Sequence, residues 1–135
     1  MYGMKEACAA VNMSYETLKF YCNQGLVPNL KRDGSNRRIF DEQDIAWLKS
    51  LSCLKKCGMS IQEMKTYQDL CLQGESSIPQ RKRILEHKRE ELLERRRELE
   101  ESMAYIDRKQ QFYDDVLAGN REYTSNLLPK MRESV

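Results

Sequence analysis

A seven-residue repeat of large apolar residues in the C-terminal half of the chain restricts the fold more than any other feature. Its members are Leu85, Leu92, Leu99, Ile106 and Tyr113. Around them, charged residues fill 15 of the 21 positions from Arg81 to Glu101. One apolar stripe on an otherwise charged helix is typical of a coiled coil, because the helix has little of its own chain to pack against. The pattern predicts a dimerisation helix over about 78–118 and a homodimer.

A second, weaker set of positions accompanies this stripe. It consists of Lys82, Arg89, Arg96, Met103, Gln110 and Leu117. We expect Met103 to join the five repeat residues at the dimer contact. The two sets do not decide whether the paired helices run parallel or antiparallel. Gly119 and Asn120 end the helical pattern, and a short tail follows over 119–135.

Residues 1–74 carry short helical patterns separated by turn residues. A helix over about 4–11 and a second from Tyr15 to about Gln24, with Ser14 as its N-cap, predict a helix-turn-helix at about 4–24. Two further helices are predicted at about 41–57 and 60–73, capped by Asp41 and by a Ser60-x-x-Glu63 capping box. The predicted fold class is therefore mainly α, a winged helix-turn-helix domain followed by a long dimerisation helix.

The segment of about 26–40 predicts a basic hairpin, or wing. Four cations surround the Asp33-Gly34 turn signal, which makes a local charge of +3 from four bases and one acid. The whole chain carries only +2, so a nucleic-acid partner is indicated by this patch rather than by net charge. The basic residues are Lys31, Arg32, Arg37 and Arg38.

The wing directly follows the second helix, and together they predict an interface for double-stranded DNA. Cations on a flexible turn suit backbone phosphates, and a helix in the major groove reads base edges. Tyr21 has two open orientations, inward or toward a phosphate. The candidate residues of the helix are Ser14, Tyr15, Thr17, Lys19, Phe20 and Tyr21.

From the sequence we expect this chain to be neither a membrane protein, nor a secreted protein, nor an enzyme. No run of 18 apolar residues spans a membrane, and the first ten residues lack a secretory signal, so we expect a cytoplasmic protein with reduced thiols. Five Cys, one His, no C-x-x-C and no Ser/His/Asp grouping argue against an enzyme. We predict no cofactor and no bound metal. A thiol redox protein remains an alternative.

The residues of three segments resemble the MerR family of transcription regulators. Ser14-x-x-Thr17-Leu18-Lys19-Phe20-Tyr21 with Gly25-Leu26-Val27-Pro28 is similar to the family segment S-x-x-T-L-R-Y-Y…G-L-x-P. Arg38-Ile39-Phe40-Asp41 with Asp44-Ile45 is similar to the end of the family's wing. Leu54-x-x-x-Gly58-Met59-Ser60-Ile61-x-Glu63 is similar to L-R-x-x-G-F-S-L-E-E-I.

The resemblance implies a dimer joined by an antiparallel coiled coil. Such a dimer binds a promoter whose −35 to −10 spacer is too long, and it bends and untwists the DNA for RNA polymerase when an effector is sensed. It implies DNA contacts from Tyr15, Lys19 and Tyr21 on the helix and from Arg38 on the wing. Lys19 stands where the family usually has Arg, and Asn36-Arg37 replaces the usual Gly-Tyr.

The segment around Cys53 resembles the lone-cysteine segment of aldehyde- and electrophile-responsive members, the AdhR/NmlR-like branch. This implies a stress-response regulator in which a Cys53 adduct is the signal, with Lys55 and Lys56 favouring the reactive thiolate. Two other interpretations stay open. Cys53 is a small buried hydrophobe, or Cys53 and Cys57, which share a helix face, take part in a soft-metal site.

Overall fold

The structure, a computed structural model, describes residues 1–129 and is mainly helical, as predicted. The predicted tail of 119–135 thus lies partly outside the described residues. The elements in chain order are α1 (Met4–Val11), α2 (Tyr15–Asn23), β1 (Lys31–Arg32), β2 (Arg38–Ile39), α3 (Glu42–Lys56), α4 (Ile61–Leu72) and α5 (Ile78–Leu117).

Side-chain caps explain where α2, α3 and α4 begin. The Ser14 hydroxyl accepts a hydrogen bond from the backbone N–H of Thr17 at 3.2 Å. Asp41 and Asp44 form a reciprocal capping box at the start of α3, and Ser60 and Glu63 form one at the start of α4. Each cap satisfies backbone donors that have no partner within the helix.

The wing is a two-stranded antiparallel hairpin in which Arg32 pairs with Arg38. The Asp33 carboxylate organises its tip, because it accepts the backbone N–H groups of Ser35 and Arg37, each at 2.9 Å. These two donors lower the pKa of Asp33. The left-handed residue of the turn is Asn36, with φ 61°, and not Gly34 of the predicted Asp-Gly signal.

The first compact unit, Met1–Leu92, has one apolar core. Residues of α1, α2, the wing and α3 meet in it, with Leu18, Phe40 and Leu48 fully buried. The Trp47 indole N–H donates to the Leu26 carbonyl at 2.9 Å, and the Gln68 amide donates to the Gly25 carbonyl at 2.8 Å. These bonds connect the end of α2 to α3 and α4.

The join between α4 and α5 is ordered and not an open linker. Glu75–Ser77 forms a 3-10 turn, and buried Ser77 bonds the Leu70 carbonyl. The Arg81 guanidinium bonds Ser77 and the Gly74 carbonyl. These bonds hold the first turn of α5, and the compact unit extends along this helix to Leu92. The assignment of 1–74 and 78–118 as functional domains stays a prediction.

The second compact unit, described for 93–129, contains the rest of α5 and the chain after it. Gly119, with φ 77°, ends the helix, and the chain turns so that the Tyr123 ring comes to 6.3 Å from the Phe112 ring. Arg97 forms ion pairs with Glu94 and Glu101 on the exposed helix surface. Within residues 1–129, no helix is long and apolar enough to cross a bilayer.

Candidate nucleic-acid interface

The outer face of α2 carries three exposed side chains of the predicted interface. Tyr15 and Phe20 are each about half exposed, and Lys19 is exposed between them along the helix. Leu18, on the opposite face, is fully buried. The helix therefore presents one cation, two aromatic rings and the carboxylate of Glu16 outward while its other face packs in the core.

The remaining α2 candidates are occupied within the protein. Ser14 and Thr17 are bonded to each other, with Ser14 Oγ donating to Thr17 Oγ1 at 2.9 Å, and they cap the helix. Of the two orientations open for Tyr21, the structure has the inward one, because only 2% of this residue is exposed. Burial raises the pKa of Tyr21. This leaves little surface for a phosphate contact.

The wing cations differ in how freely they can meet a ligand. Lys31 forms an ion pair with Asp41 at 2.7 Å, which raises the lysine pKa and lowers that of Asp41. Arg32 donates to the Asn36 carbonyl across the hairpin at 2.9 Å. Arg37 is exposed, and its guanidinium has no hydrogen-bond partner within residues 1–129. Lys31 thus braces the wing against α3, and Arg37 is available.

Arg38 connects the wing to α2. Its guanidinium donates to the side chain of Asn23, at the end of α2, at 3.0 Å. Its Nε is buried and has no hydrogen-bond partner among residues 1–129. The side chain is half-buried, so the wing holds this cation in a defined position beside the helix.

A concave surface of about 720 Å³ brings the wing and the start of α2 together. Tyr15 shares it with Arg32, Arg37 and Arg38. The backbone of Tyr2 and Phe40 pairs beneath this surface, with both N–H···O distances at 2.8 Å. Four cations and an exposed aromatic ring line this surface against two acids, Glu6 and Asp33, and this net positive lining suits a polyanion with a sugar-phosphate backbone.

The structure adds two cations that sequence reasoning missed. Lys5, on α1, lies on the wing surface, because the Tyr2–Phe40 pairing brings the N-terminal segment to the wing. Lys55 lies beside Thr17 and Phe20 in a separate depression next to α2. No local sequence signal marks either residue, since both positions arise from long-range packing.

Cys53 is exposed on α3, so the interpretation as a buried core residue is wrong. It lines a shallow apolar depression of about 400 Å³ between α3 and α4, with Trp47, Tyr67 and Cys71. Lys49, one helical turn before Cys53, is the lysine on its wall. The predicted influence of Lys55 and Lys56 on the thiol stays a prediction. Within residues 1–129, no three His, Cys, Asp or Glu side chains lie close enough to hold a metal ion.

A family model described as "MerR HTH family regulatory protein" matches residues 2–70, and a second, "MerR, DNA binding", matches residues 45–109. The first match alone covers half of the chain. The chain belongs to the MerR family. It is a MerR-type DNA-binding transcription regulator, and its relatives and fold are those of regulators and not of enzymes.

Relatives support the AdhR/NmlR-like branch of the family. An uncharacterised HTH-type transcriptional regulator of Haemophilus influenzae is 31% identical over 98% of both chains. The regulator AdhR of Bacillus subtilis is 37% identical over 58% of this chain and 56% of its own. The crystal structure of HiNmlR, described as a MerR family regulator lacking the sensor domain and bound to promoter DNA, superposes with a TM-score of 0.75, 31% identity and coverage of 87% of this chain and 89% of its own.

Proposed function

We propose that two copies of this chain bind one promoter in the cytoplasm and distort it when an electrophile reacts with Cys53. The observation that carries the DNA part of this proposal is the concave surface shared by Tyr15 and the three wing arginines. A polyanion fits this surface, and no other surface in residues 1–129 combines an exposed helix face with a basic hairpin.

The proposed dimer is supported by apolar residues that α5 leaves uncovered. The six predicted contact residues are between 36% and 63% exposed, and they are Leu85, Leu92, Leu99, Met103, Ile106 and Tyr113. A second copy is the partner whose stripe has the same seven-residue interval. For the direction of the two helices we propose the antiparallel arrangement, which is the one that the resemblance to the MerR family implies.

Sedimentation velocity tests the dimer. Leu99→Lys should shift the protein to monomer, because a charge would replace an apolar side chain in the middle of the contact. Gln111→Lys is the matched control, since it adds the same charge at an exposed position outside the stripe. A Leu99→Lys protein that sediments like the wild type would contradict the dimer contact.

In the proposed complex, α2 enters the major groove and the wing follows the backbone. Lys19, Tyr15 and Phe20 face bases and sugars from the helix, and Arg37 and Arg38 contact phosphates. Arg32 and Lys31 shape the wing through their internal bonds. Tyr21 packs in the core and supports α2, and it does not contact DNA in the proposed complex.

Fluorescence anisotropy with promoter DNA at several salt concentrations tests these contacts. Each lost phosphate contact should reduce the slope of log affinity against log salt by about 1 per chain. Arg37→Ala should show this loss of slope. Lys19→Ala should show it too, and it should also reduce the ratio of the affinity for promoter DNA to the affinity for non-specific DNA. Arg95→Ala, an exposed arginine of α5, is the control. Unchanged affinity in both Lys19→Ala and Arg38→Ala would refute the interface.

Promoter distortion is the second step of the proposal. Smooth bending of a site costs on the order of 1–6 kcal/mol. The contacts of two winged helix-turn-helix domains with one duplex can supply this free energy. We propose that the distorted state realigns the −35 and −10 elements for RNA polymerase. In vitro transcription from promoters with spacers shortened one base pair at a time tests this step. Equal activation of transcription from promoters of every spacer length would contradict this step.

The proposed signal is an adduct on Cys53. The thiolate attacks a carbonyl carbon, a C–S bond forms, and the former carbonyl oxygen takes the electron pair and then a proton. Exposure gives the reagent access, and the apolar wall with Trp47 and Tyr67 favours small organic electrophiles over ions. Lys49 on the same wall offers a donor to the new alkoxide.

Intact-mass analysis and peptide mapping after exposure to methylglyoxal, formaldehyde or diamide test the sensor. Modification should appear first at Cys53, and Cys53→Ser should keep promoter affinity but lose induction. Cys57→Ser is the control one turn along the same helix, where the thiol is less exposed. Induction of Cys53→Ser at the wild-type level would remove the sensor model.

A further inference from the structure

The end of α5 and the segment after it form a cleft that is separate from the DNA interface and from Cys53, and Tyr113 of the proposed dimer contact is among the residues that line it. Gly119 turns the chain, so Tyr123 and Arg121 lie over the last turns of the helix. The Phe112 ring lies between them, 6.3 Å from the Tyr123 ring and 4.9 Å from the Arg121 guanidinium. Tyr105 and Arg108 extend the cleft along the helix.

The lining of this cleft is strongly one-sided in charge. Arg108, Lys109 and Arg121 are the charged residues among those that line it, and there is no Asp or Glu among them. None of the three forms an ion pair within residues 1–129. Asp115 of α5 accepts a hydrogen bond from the Gln111 side chain and forms no ion pair with these three cations. The cations therefore offer unused donors to an anion.

Aromatic faces lie beside these donors. Arg121 is over the Phe112 ring, and Lys109 Nζ is 5.9 Å from the centre of the Tyr105 ring. The cleft has a volume of about 570 Å³, within the range of roughly 300–1,000 Å³ typical of sites for small organic ligands. A ligand that stacks on a ring and bonds a guanidinium matches both parts of the lining.

We propose that this cleft binds a small planar aromatic carboxylate. The ring of the ligand stacks against Phe112 and Tyr123, and the carboxylate bonds the guanidinium groups of Arg108 and Arg121. The site requires neither DNA nor the thiol of Cys53, and it gives the chain a second, non-covalent route for small molecules. A single-stranded nucleic acid uses the same chemistry, but it needs an extended groove and not a cleft of this volume.

Equilibrium dialysis with 2-naphthoate on the intact protein tests the site. One molecule should bind per chain, and the neutral isostere 2-naphthamide should bind about nine- to 25-fold more weakly, because it loses the charge-assisted bonds to both guanidinium groups. Arg108→Gln and Arg121→Gln should each weaken naphthoate by about three- to five-fold. Tyr123→Leu should weaken both ligands alike, since it removes stacking only.

Arg95→Gln and Cys53→Ser are the controls, and both should bind naphthoate like the wild type. Helical circular dichroism of every variant confirms that the chain is folded. Equal binding of naphthoate and naphthamide, or wild-type binding by the Arg108→Gln, Arg121→Gln double variant, would overturn the proposal. Displacement of naphthoate by a short oligothymidylate at lower concentration than by free naphthoate would also overturn it, in favour of a nucleic-acid groove.

Discussion

Replacing Lys88 with methionine should destabilise the first compact unit. Lys88 is only 5% exposed, and its ammonium bonds Glu63 at 2.5 Å and Glu91 at 3.0 Å. Glu63 belongs to the capping box of α4, so this ion pair ties the start of α4 to α5. Methionine keeps most of the apolar stem and removes the charge, which isolates the electrostatic part of the contact.

The magnitude follows from the exposure of the partners. Removing one member of a fully buried pair costs about 3–5 kcal/mol, and an exposed pair contributes only about 0–1 kcal/mol. The side chains of Glu63 and Glu91 are about 40% exposed and can turn to water once Lys88 is gone. We therefore expect Lys88→Met to lower the free energy of unfolding by about 1–2 kcal/mol.

The dependence on pH supplies an independent check. The Lys88 hydrogen bond lowers the pKa of Glu63, so this contribution is present above the unfolded glutamate pKa and is lost as pH falls through the lower folded value. The same bond raises the pKa of Lys88, so its part is present below the unfolded lysine pKa and is lost as pH rises through the folded value. The wild-type advantage should be constant between about pH 5 and pH 10 and should shrink below about pH 4.5.

Urea unfolding followed by circular dichroism measures this prediction at pH 7 and pH 3. Glu63→Gln and the double variant complete a thermodynamic cycle that isolates the coupling of the pair. A Lys88→Met protein within about 0.3 kcal/mol of the wild type at pH 7 would refute the reasoning, because that difference is the usual error of additivity. A deficit that stays equal at pH 3 would locate the effect in packing and not in charge.

Three further predictions concern the wing and the core. Asp33→Ala removes the acceptor of two backbone bonds in the wing tip, so anisotropy should show weaker promoter binding with little change in Tm; intact affinity would contradict this. Asn36→Gly should leave thermal stability near the wild-type level, whereas Asn36→Val should cost about 1–2 kcal/mol, since a β-branched residue strains at positive φ; equal melting of both variants would argue against the strain. Trp47→Phe should lower the urea midpoint by an equivalent of about 1–3 kcal/mol, because the buried Leu26 carbonyl loses its donor; an unchanged midpoint would show that another group replaces it.

Sequence patterns predicted the elements whose causes are local. The N-caps at Ser14, Asp41 and Ser60 lie where the sequence indicated, because a cap depends on residues three positions apart. The cationic wing and the mainly helical fold class were predicted for the same reason. The seven-residue repeat indicated both the length of α5 and its exposed stripe.

Sequence patterns did not predict the features that depend on packing between distant parts of the chain. Nothing local distinguishes exposed Cys53 from a buried cysteine, and helical spacing left two orientations open for Tyr21, of which the structure has the buried one. Lys5 reaches the wing only because Tyr2 pairs with Phe40, thirty-eight positions along the chain. The join between α4 and α5 has the composition of a linker, yet it is held by the bonds of Arg81 and Ser77 to backbone carbonyls.

The single tryptophan of the chain, Trp47, contacts both the end of α2 and the depression that contains Cys53. Its nitrogen end is anchored to the Leu26 carbonyl, while the residue also lines the depression that holds Cys53. The emission of Trp47 therefore reports on two places: the proposed adduct on Cys53 would change the polarity beside the ring, and loosening of the end of α2 would break the hydrogen bond from the indole N–H. Steady-state spectra of unlabelled protein can follow both processes in real time, free of interference from any other indole.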